Sequence, residues 1–210
     1  MNSCPKCDLV EKLIPKRGRL FVFSGPSGAG KDSVLDVLLT IPLCPPRLVR
    51  CVTATTRLPR DSEQDGIDYF FITEESFRRR IQRGFFLEHA EYNGRLYGTP
   101  ADFVEQERDK GNDVILKIEV QGALQLQAAA PDAMLIFLAP PSWEVLEQRL
   151  TKRATEKHED VKSRLEIAKR EMDAAGKYDY LVVNQKVASA AAALKAIITA
   201  ERHRIIKGNQ

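Results

Sequence analysis

RLFVFSGPSGAGKDSVL, residues Arg19 to Leu35, reads as a strand, a loop and a helix in immediate succession. Leu20 to Phe23 form an apolar run of the kind buried inside a parallel sheet. Ser24 to Gly30 follow, with Gly25, Pro26, Gly28 and Gly30 marking a bent backbone. Ser33 to Thr40 read as a helix. The spacing Gly25-x4-Gly30-Lys31 is that of a phosphate-binding loop. In such a loop Gly25, Pro26, Ser27, Gly28, Ala29 and Gly30 turn successive N–H groups toward one anion. The helix N-terminus adds positive potential at the same point, and Lys31 is placed to reach the outer phosphates. One position departs from the pattern. Ser or Thr is expected after the lysine, its hydroxyl on magnesium. Asp32 stands there instead, followed by Ser33. A carboxylate is a good magnesium ligand, and it repels phosphate unless a cation offsets it.

Outward from this loop, strands are expected at Leu48 to Thr53, Tyr69 to Ile72, Asp113 to Val120, Ala133 to Leu138 and Tyr180 to Val183. Helices are expected at Glu74 to Arg83, Thr99 to Lys110, Gly122 to Ala130, Trp143 to Thr155, Glu159 to Ala174 and Ala188 to Ile205. Phe85 to Tyr92 and Arg95 to Gly98 read as a hairpin around Asn93-Gly94. Outside this middle stretch strands and helices alternate. That argues for an α/β fold, a parallel sheet with helices on both faces. Met1 to Gly18, polar and bearing Pro5 and Pro15, reads as an extension before the first strand.

A chain of 210 residues allows one α/β domain with an insertion, or two small subdomains. Its hydrophobic content of 43% is that of an ordinary globular protein. The net charge of +3 is too small to indicate a nucleic-acid partner. No apolar run is long enough to span a membrane, and no signal-peptide core opens the chain; the expectation is a cytoplasmic protein. Cys4-Pro-Lys-Cys7 has zinc-knuckle spacing, but Cys44 and Cys51 do not supply the second close pair, so free thiols in a reducing compartment are expected.

Small polar groups, arginines and tyrosines crowd the stretch from Thr53 to Thr99. Arg57 and Arg60, with Pro59 between them, make a rigid fork for a phosphate, or else a solvated loop. Tyr69 and Tyr97 can donate hydroxyls to the same anion, or sit half-buried in a core. Glu88 ends the run Phe85-Phe86-Leu87-Glu88. A carboxylate there accepts two N–H bonds from a guanine edge, or lies harmlessly on a strand edge.

The segments SGPSGAGK, TATTRLPR, GIDYFF, FFLEHAEYNGRLYGTP, IEVQGA, the RL and R-x-T at 149–155, and YDYLVVN, in this order, resemble the guanylate kinase family nearly end to end after residue 18. The resemblance implies a P-loop NTPase-like fold and transfer of the γ-phosphoryl of ATP to GMP with Mg2+, giving ADP and GDP. It implies a core at 19–52, 101–145 and 175–207, a mixed α+β GMP-binding insertion at 53–100 and a helical lid at 146–174. It places the GMP phosphate on Arg57, Arg60, Tyr69 and Tyr97, and guanine on Thr53, Glu88, Thr99 and Glu119. Lys31, Arg149, Arg153 and Arg164 fall beside the transferring phosphoryl, and Asn184 beside ATP. Thr53 and Glu119 stand where the family often has Ser and Asp, and KRAT around Arg153 lacks the glycines of the family's GRGT. The implied partners are GMP and ATP, with no nucleic acid and no membrane, for a monomer or homodimer.

Two other readings stay open. A ribose 1,5-bisphosphate phosphokinase also carries Asp after the loop lysine. A non-catalytic guanylate-kinase-like binding module shares the fold. Lys117 suggests how Asp32 is tolerated. It lies two before Glu119, where the family usually has an acidic residue, so the two departures restore the local charge if they pair. Asp32 is then either in a direct salt bridge or on magnesium, with Lys117 steadying it.

Overall fold

The computed structural model describes residues 17–42, 47–61, 63–92, 94–152 and 158–205. Its elements are, in chain order, β1 (Leu20–Ser24), α1 (Lys31–Thr40), β2 (Leu48–Arg50), β3 (Ala54–Thr55), β4 (Phe70–Phe71), α2 (Glu74–Gln82), β5 (Phe86–Tyr92) and β6 (Arg95–Pro100). There follow α3 (Ala101–Asp109), β7 (Asp113–Lys117), α4 (Val120–Ala129), β8 (Met134–Ala139), α5 (Trp143–Lys152), α6 (His158–Asp173), a 3-10 turn (Ala174–Lys177), β9 (Tyr180–Val183) and α7 (Val187–Arg202).

β1 is buried along its whole length, as its unbroken apolar sequence requires. It is the middle strand of a five-stranded sheet in the order β2-β7-β1-β8-β9, parallel throughout. Period-two alternation splits the core across the two faces. Phe21 and Phe23 pack with Val34, Leu35 and Leu38 of α1 and with Leu194 and Ile198 of α7. Leu20 and Val22 pack on the opposite side with Val104 of α3 and Ala123 and Leu126 of α4. Each fully buried large apolar side chain contributes about 1.5–3 kcal/mol. The parallel sheet with helices on both faces is the α/β fold that the sequence predicts.

The middle stretch folds into a second, four-stranded sheet, β4-β3-β6-β5. β5 and β6 are antiparallel, with Tyr92 opposite Arg95, as the Asn93-Gly94 turn predicts; Asn93 itself lies outside the described residues. α2 starts where Thr73 accepts a hydrogen bond from the Ser76 N–H, with Glu74 and Glu75 in its first turn and Arg79 and Arg80 in its last. Both charge placements favour the helix dipole.

Several boundaries differ from the sequence reading. α1 begins at Lys31, because Gly30 in the left-handed region (φ 94°) starts the helix directly from the loop. Thr99 and Pro100 belong to β6, with Thr99 opposite Glu88, so α3 starts at Ala101. Cross-strand pairing wins there over the capping signal. β7 ends at Lys117, and Glu119 becomes the N-cap of α4. The strand expected over Leu48 to Thr53 stops at Arg50, and Ala54 and Thr55 join the other sheet. The end expected for the helix from Trp143, Thr155, lies outside the described residues.

Strand order reverses at β1, whose neighbours β7 and β8 lead away on opposite sides. In open α/β sheets, ligands bind at the carboxyl ends of strands beside such a switch point. The Gly25–Gly30 loop leaves β1 at that point.

Candidate active site

The loop is shaped by its glycines and by what lies against them. Gly25 has φ 144°, and a Cβ there would lie 2.2 Å from the Leu138 carbonyl oxygen. A Cβ on Gly30 would lie 2.5 Å from Nδ2 of Asn184. That close approach lets Asn184, buried at the end of β9, donate from Nδ2 to the Ala29 carbonyl at 2.7 Å. Arg149 of α5 donates to the same carbonyl at 3.3 Å. Lys31 is buried, its ammonium donating to the Gly25 carbonyl at 2.5 Å and to Glu119 Oε2 at 3.4 Å. It therefore reaches across the loop mouth rather than out into solvent. Ser33 is exposed. Arg164 of α6 acts on the charge at Tyr92. Arg153 lies outside the described residues.

Asp32 and Lys117 are ion-paired, joining the first turn of α1 to the end of β7. Lys117 is 9% exposed and also lies 5.1 Å from the Tyr69 ring centroid. Burial pushes the Asp32 carboxyl up, but the charge and hydrogen bond of Lys117, helped by Lys31 and Arg50, outweigh it and hold the carboxyl below its usual value. The acidic residue in the phosphate loop is thus already offset.

Between the two sheets lies a pocket. Thr53, Tyr69, Glu88, Tyr97 and Glu119 all line it, five positions scattered over 67 residues of sequence, together with Lys117 and Gly122. Glu88, 7% exposed, accepts a 2.6 Å hydrogen bond from the Thr99 hydroxyl across the β5–β6 pair. Burial pushes its carboxyl up to about 7, with the Thr99 bond pulling the other way. Its Oε2 rests against α4 at Gly122, where a Cβ would come within 2.6 Å. The pocket and the phosphate loop share a wall. Lys117 and Glu119 line the one and are bonded to Asp32 and Lys31 of the other.

The arginine fork is only partly gathered in. Arg57 lies 5.4 Å from the centroid of Tyr69 and 5.8 Å from that of Phe71. Arg60 is 69% exposed and outside the pocket lining. Both face Glu63, a residue the sequence reading passed over. The spacing Arg57-x2-Arg60-x2-Glu63 was the available signal. Two more were missed. Tyr92 lines the pocket and is electrostatically coupled to Ser27 of the loop. Glu171 of α6 is buried against the loop and accepts from the Ser27 N–H at 3.4 Å. Burial, reinforced by Glu119, pushes its carboxyl up to about 7. Among the described residues no group of three or more His, Cys, Asp or Glu is placed to hold a metal ion, and no helix is long and apolar enough to cross a membrane.

An anion cradle that shares a wall with a second pocket is the arrangement expected of a phosphotransferase acting between two small molecules. The comparisons narrow that class. A family model described as guanylate kinase matches residues 17–201. Guanylate kinases from Streptococcus agalactiae serotype III (strain NEM316) and Streptococcus pyogenes serotype M3 (strain ATCC BAA-595 / MGAS315) are each 47% identical to this chain over 192 residues. Those matches cover 91% of this chain and 91% and 90% of the relatives. The crystal structure of guanylate kinase from Anaplasma phagocytophilum aligns with a TM-score of 0.74 at 30% identity, over 91% of this chain and 90% of that one. The chain belongs to the guanylate kinase family.

Proposed function

We propose that this chain transfers the γ-phosphoryl of ATP to GMP, with ATP on the phosphate loop and GMP in the pocket between the sheets. The observation that carries the reading is Glu88, a buried carboxylate lining a pocket whose wall continues into the phosphate loop. Guanine presents N1–H and N2–H₂ on one edge, and a carboxylate accepts from both. Thr53, Thr99 and Glu119 complete the base site. Arg57, Arg60, Tyr69 and Tyr97 take the GMP phosphate. A GMP phosphate oxygen then attacks the γ-phosphorus, and the bond to the β–γ bridging oxygen breaks, leaving ADP. Such a transfer needs positioning and charge neutralisation rather than a covalent group on the protein. Lys31, Arg149, Arg153 and Arg164 supply the cations, and Asn184 holds the loop that carries them.

Asp32 fits a role toward Mg2+, which is usually held by one or two carboxylates together with phosphate oxygens and water. Its carboxyl is 64% exposed at the start of the loop helix, and its low proton affinity keeps it an acceptor. Asp32 would hold the ion there, which would supply positive charge to neutralise the phosphates. The small sheet with α2 serves in this reading as the GMP-binding part, and α5 with α6 as the lid. The setting is cytoplasmic purine nucleotide metabolism.

The reading as a ribose bisphosphate kinase and the reading as a non-catalytic module are not favoured, since the relatives named above are guanylate kinases throughout nearly the whole chain. Coupled ADP release over a panel of nucleoside monophosphates and ribose 1,5-bisphosphate tests the proposal. GMP is expected to be the preferred acceptor by orders of magnitude. Preference for ribose 1,5-bisphosphate, or ATP binding without transfer to any acceptor, would sink it.

A further inference from the structure

Arg57 carries five N–H donors, and their use is uneven. Nη1 donates to Glu63 Oε2 at 2.9 Å and to the Leu58 carbonyl at 2.7 Å. Nη2 donates to Glu63 Oε1 at 2.8 Å. The end of the guanidinium is therefore clamped by one bidentate carboxylate, and its outer flank by a backbone oxygen. The donors left are Nε–H and the second Nη2–H, which lie together on one edge. The Arg57 charge is also coupled to Tyr97. Tyr97 lines the pocket. An edge with two parallel N–H groups matches two oxygens of a phosphate.

Glu63 is itself held. It is 13% exposed, accepts from the Arg60 backbone N–H at 2.8 Å, and its own N–H bonds the Arg60 carbonyl at 2.9 Å. An exposed arginine samples many rotamers, and ordering it costs conformational entropy. A bidentate pair with a fixed carboxylate removes that cost before the ligand arrives.

We infer that Glu63 is a positioning residue for the acceptor phosphate, clamping Arg57 so that its free edge is presented beside Tyr97. This rests on the GMP site proposed above. The substrate group it serves is a phosphate monoester, not the base. Glu63 touches no reacting atom, so its loss acts through Arg57.

Steady-state kinetics with GMP and calorimetric titration with GMP and with guanosine test this in the wild type, Glu63→Gln, Glu63→Asp, Arg57→Ala and the Arg57→Ala/Glu63→Gln double variant. Glu63→Gln is expected to raise KM for GMP by about 10- to 100-fold, the range for losing hydrogen bonds between charged groups, with kcat within about threefold. Guanosine affinity is expected to hold, since the base site is untouched. Glu63→Asp should recover part of the loss, and Glu63→Gln should add nothing once Arg57 is gone. An unchanged or lowered KM in Glu63→Gln overturns the inference; a lowered KM would mean that Glu63 competes with the phosphate for the fork. Equal weakening of GMP and guanosine also overturns it, as a collapse of the base site. Should Glu63→Gln fail to fold, the same criteria apply to Glu63→Asp, whose shorter carboxylate must show a raised KM with guanosine affinity retained. A wild type that does not phosphorylate GMP defeats the functional reading, and this inference with it. A wild type that does, with Glu63 variants unaltered, defeats this inference alone.

Discussion

Glu88 carries a cost that its buried place in the pocket imposes. Its carboxyl is nearly dry and receives one side-chain hydrogen bond, from Thr99, so burial raises its proton affinity to about pH 7. Folded chains hold a proton there up to about 7, whereas unfolded chains release it near 4.5. Rising pH therefore weakens folding across that window, then has no further effect through this group. The wild type is expected to lose stability relative to Glu88→Gln between pH 4.5 and 7, by on the order of 3 kcal/mol. Denaturant melts at several pH values measure it; a pH-independent difference would contradict the buried proton. Taking the difference also removes Glu171, which titrates in the same range. The same variant should weaken GMP use and narrow the gap to AMP, about 1–3 kcal/mol for one unpaired buried group. Glu88 was legible in the sequence because a charge within an apolar strand breaks a pattern. Glu171 was not: an acid on a highly charged helix breaks none, and only folding brings it against Ser27.

At the level of elements, the site depends on where helices begin and strands stop. α1 starts at Lys31 and β7 stops at Lys117, which brings Asp32 and Lys117 into contact. Their pairing was legible as two compensating departures from a known pattern. The ends of β7, β2 and α3 were less so. Tertiary pairing set them, and the capping signal of Thr99-Pro100 is equally at home in a strand end. Asp32→Ser alone leaves a buried lysine unpaired, and Lys117→Asp alone sets two carboxylates side by side. Each is expected to lower kcat/KM more than the two together, and simple additivity in the double-mutant cycle would count against coupling. α4 makes a second such demand, because Gly122 backs the Glu88 carboxylate. Gly122→Ala should displace that carboxylate and lower kcat/KM for GMP by up to about 100-fold, the scale of an ångström-sized misplacement, while KM for ATP stays near the wild-type value. An equal loss toward both substrates would place the damage elsewhere.

For the molecule as a whole, the alternation of strands and helices outside the middle stretch was legible, but the order of strands was not, since periodicity says nothing of which strand lies beside which. That order is closed by Asp113, which is fully buried. It accepts from the Arg19 N–H at 2.8 Å and from Arg202 Nε at 2.6 Å, tying the approach to β1, the start of β7 and the end of α7 to one carboxylate. Removing one partner of a buried pair costs about 3–5 kcal/mol. Arg202→Ala should therefore lower unfolding free energy by that much with KM for GMP unchanged, as read by urea melts beside kinetics. The sheet order also sets a clock for biosynthesis. β1, apolar from Leu20 to Phe23, has no strand partner until β7 is made. Arg19 and Asp113 are 94 positions apart, and translation at roughly 5–20 residues per second leaves β1 unpaired for roughly 5–20 s while the small sheet emerges. Ribosome-stalled chains ending before β7 should remain protease-sensitive at Leu20–Ser24, and those extending past β9 should be protected there. The bond from Asn184 that braces the loop at the Ala29 carbonyl forms only once β9 has been made, so the half of the protein made first waits on the half made last.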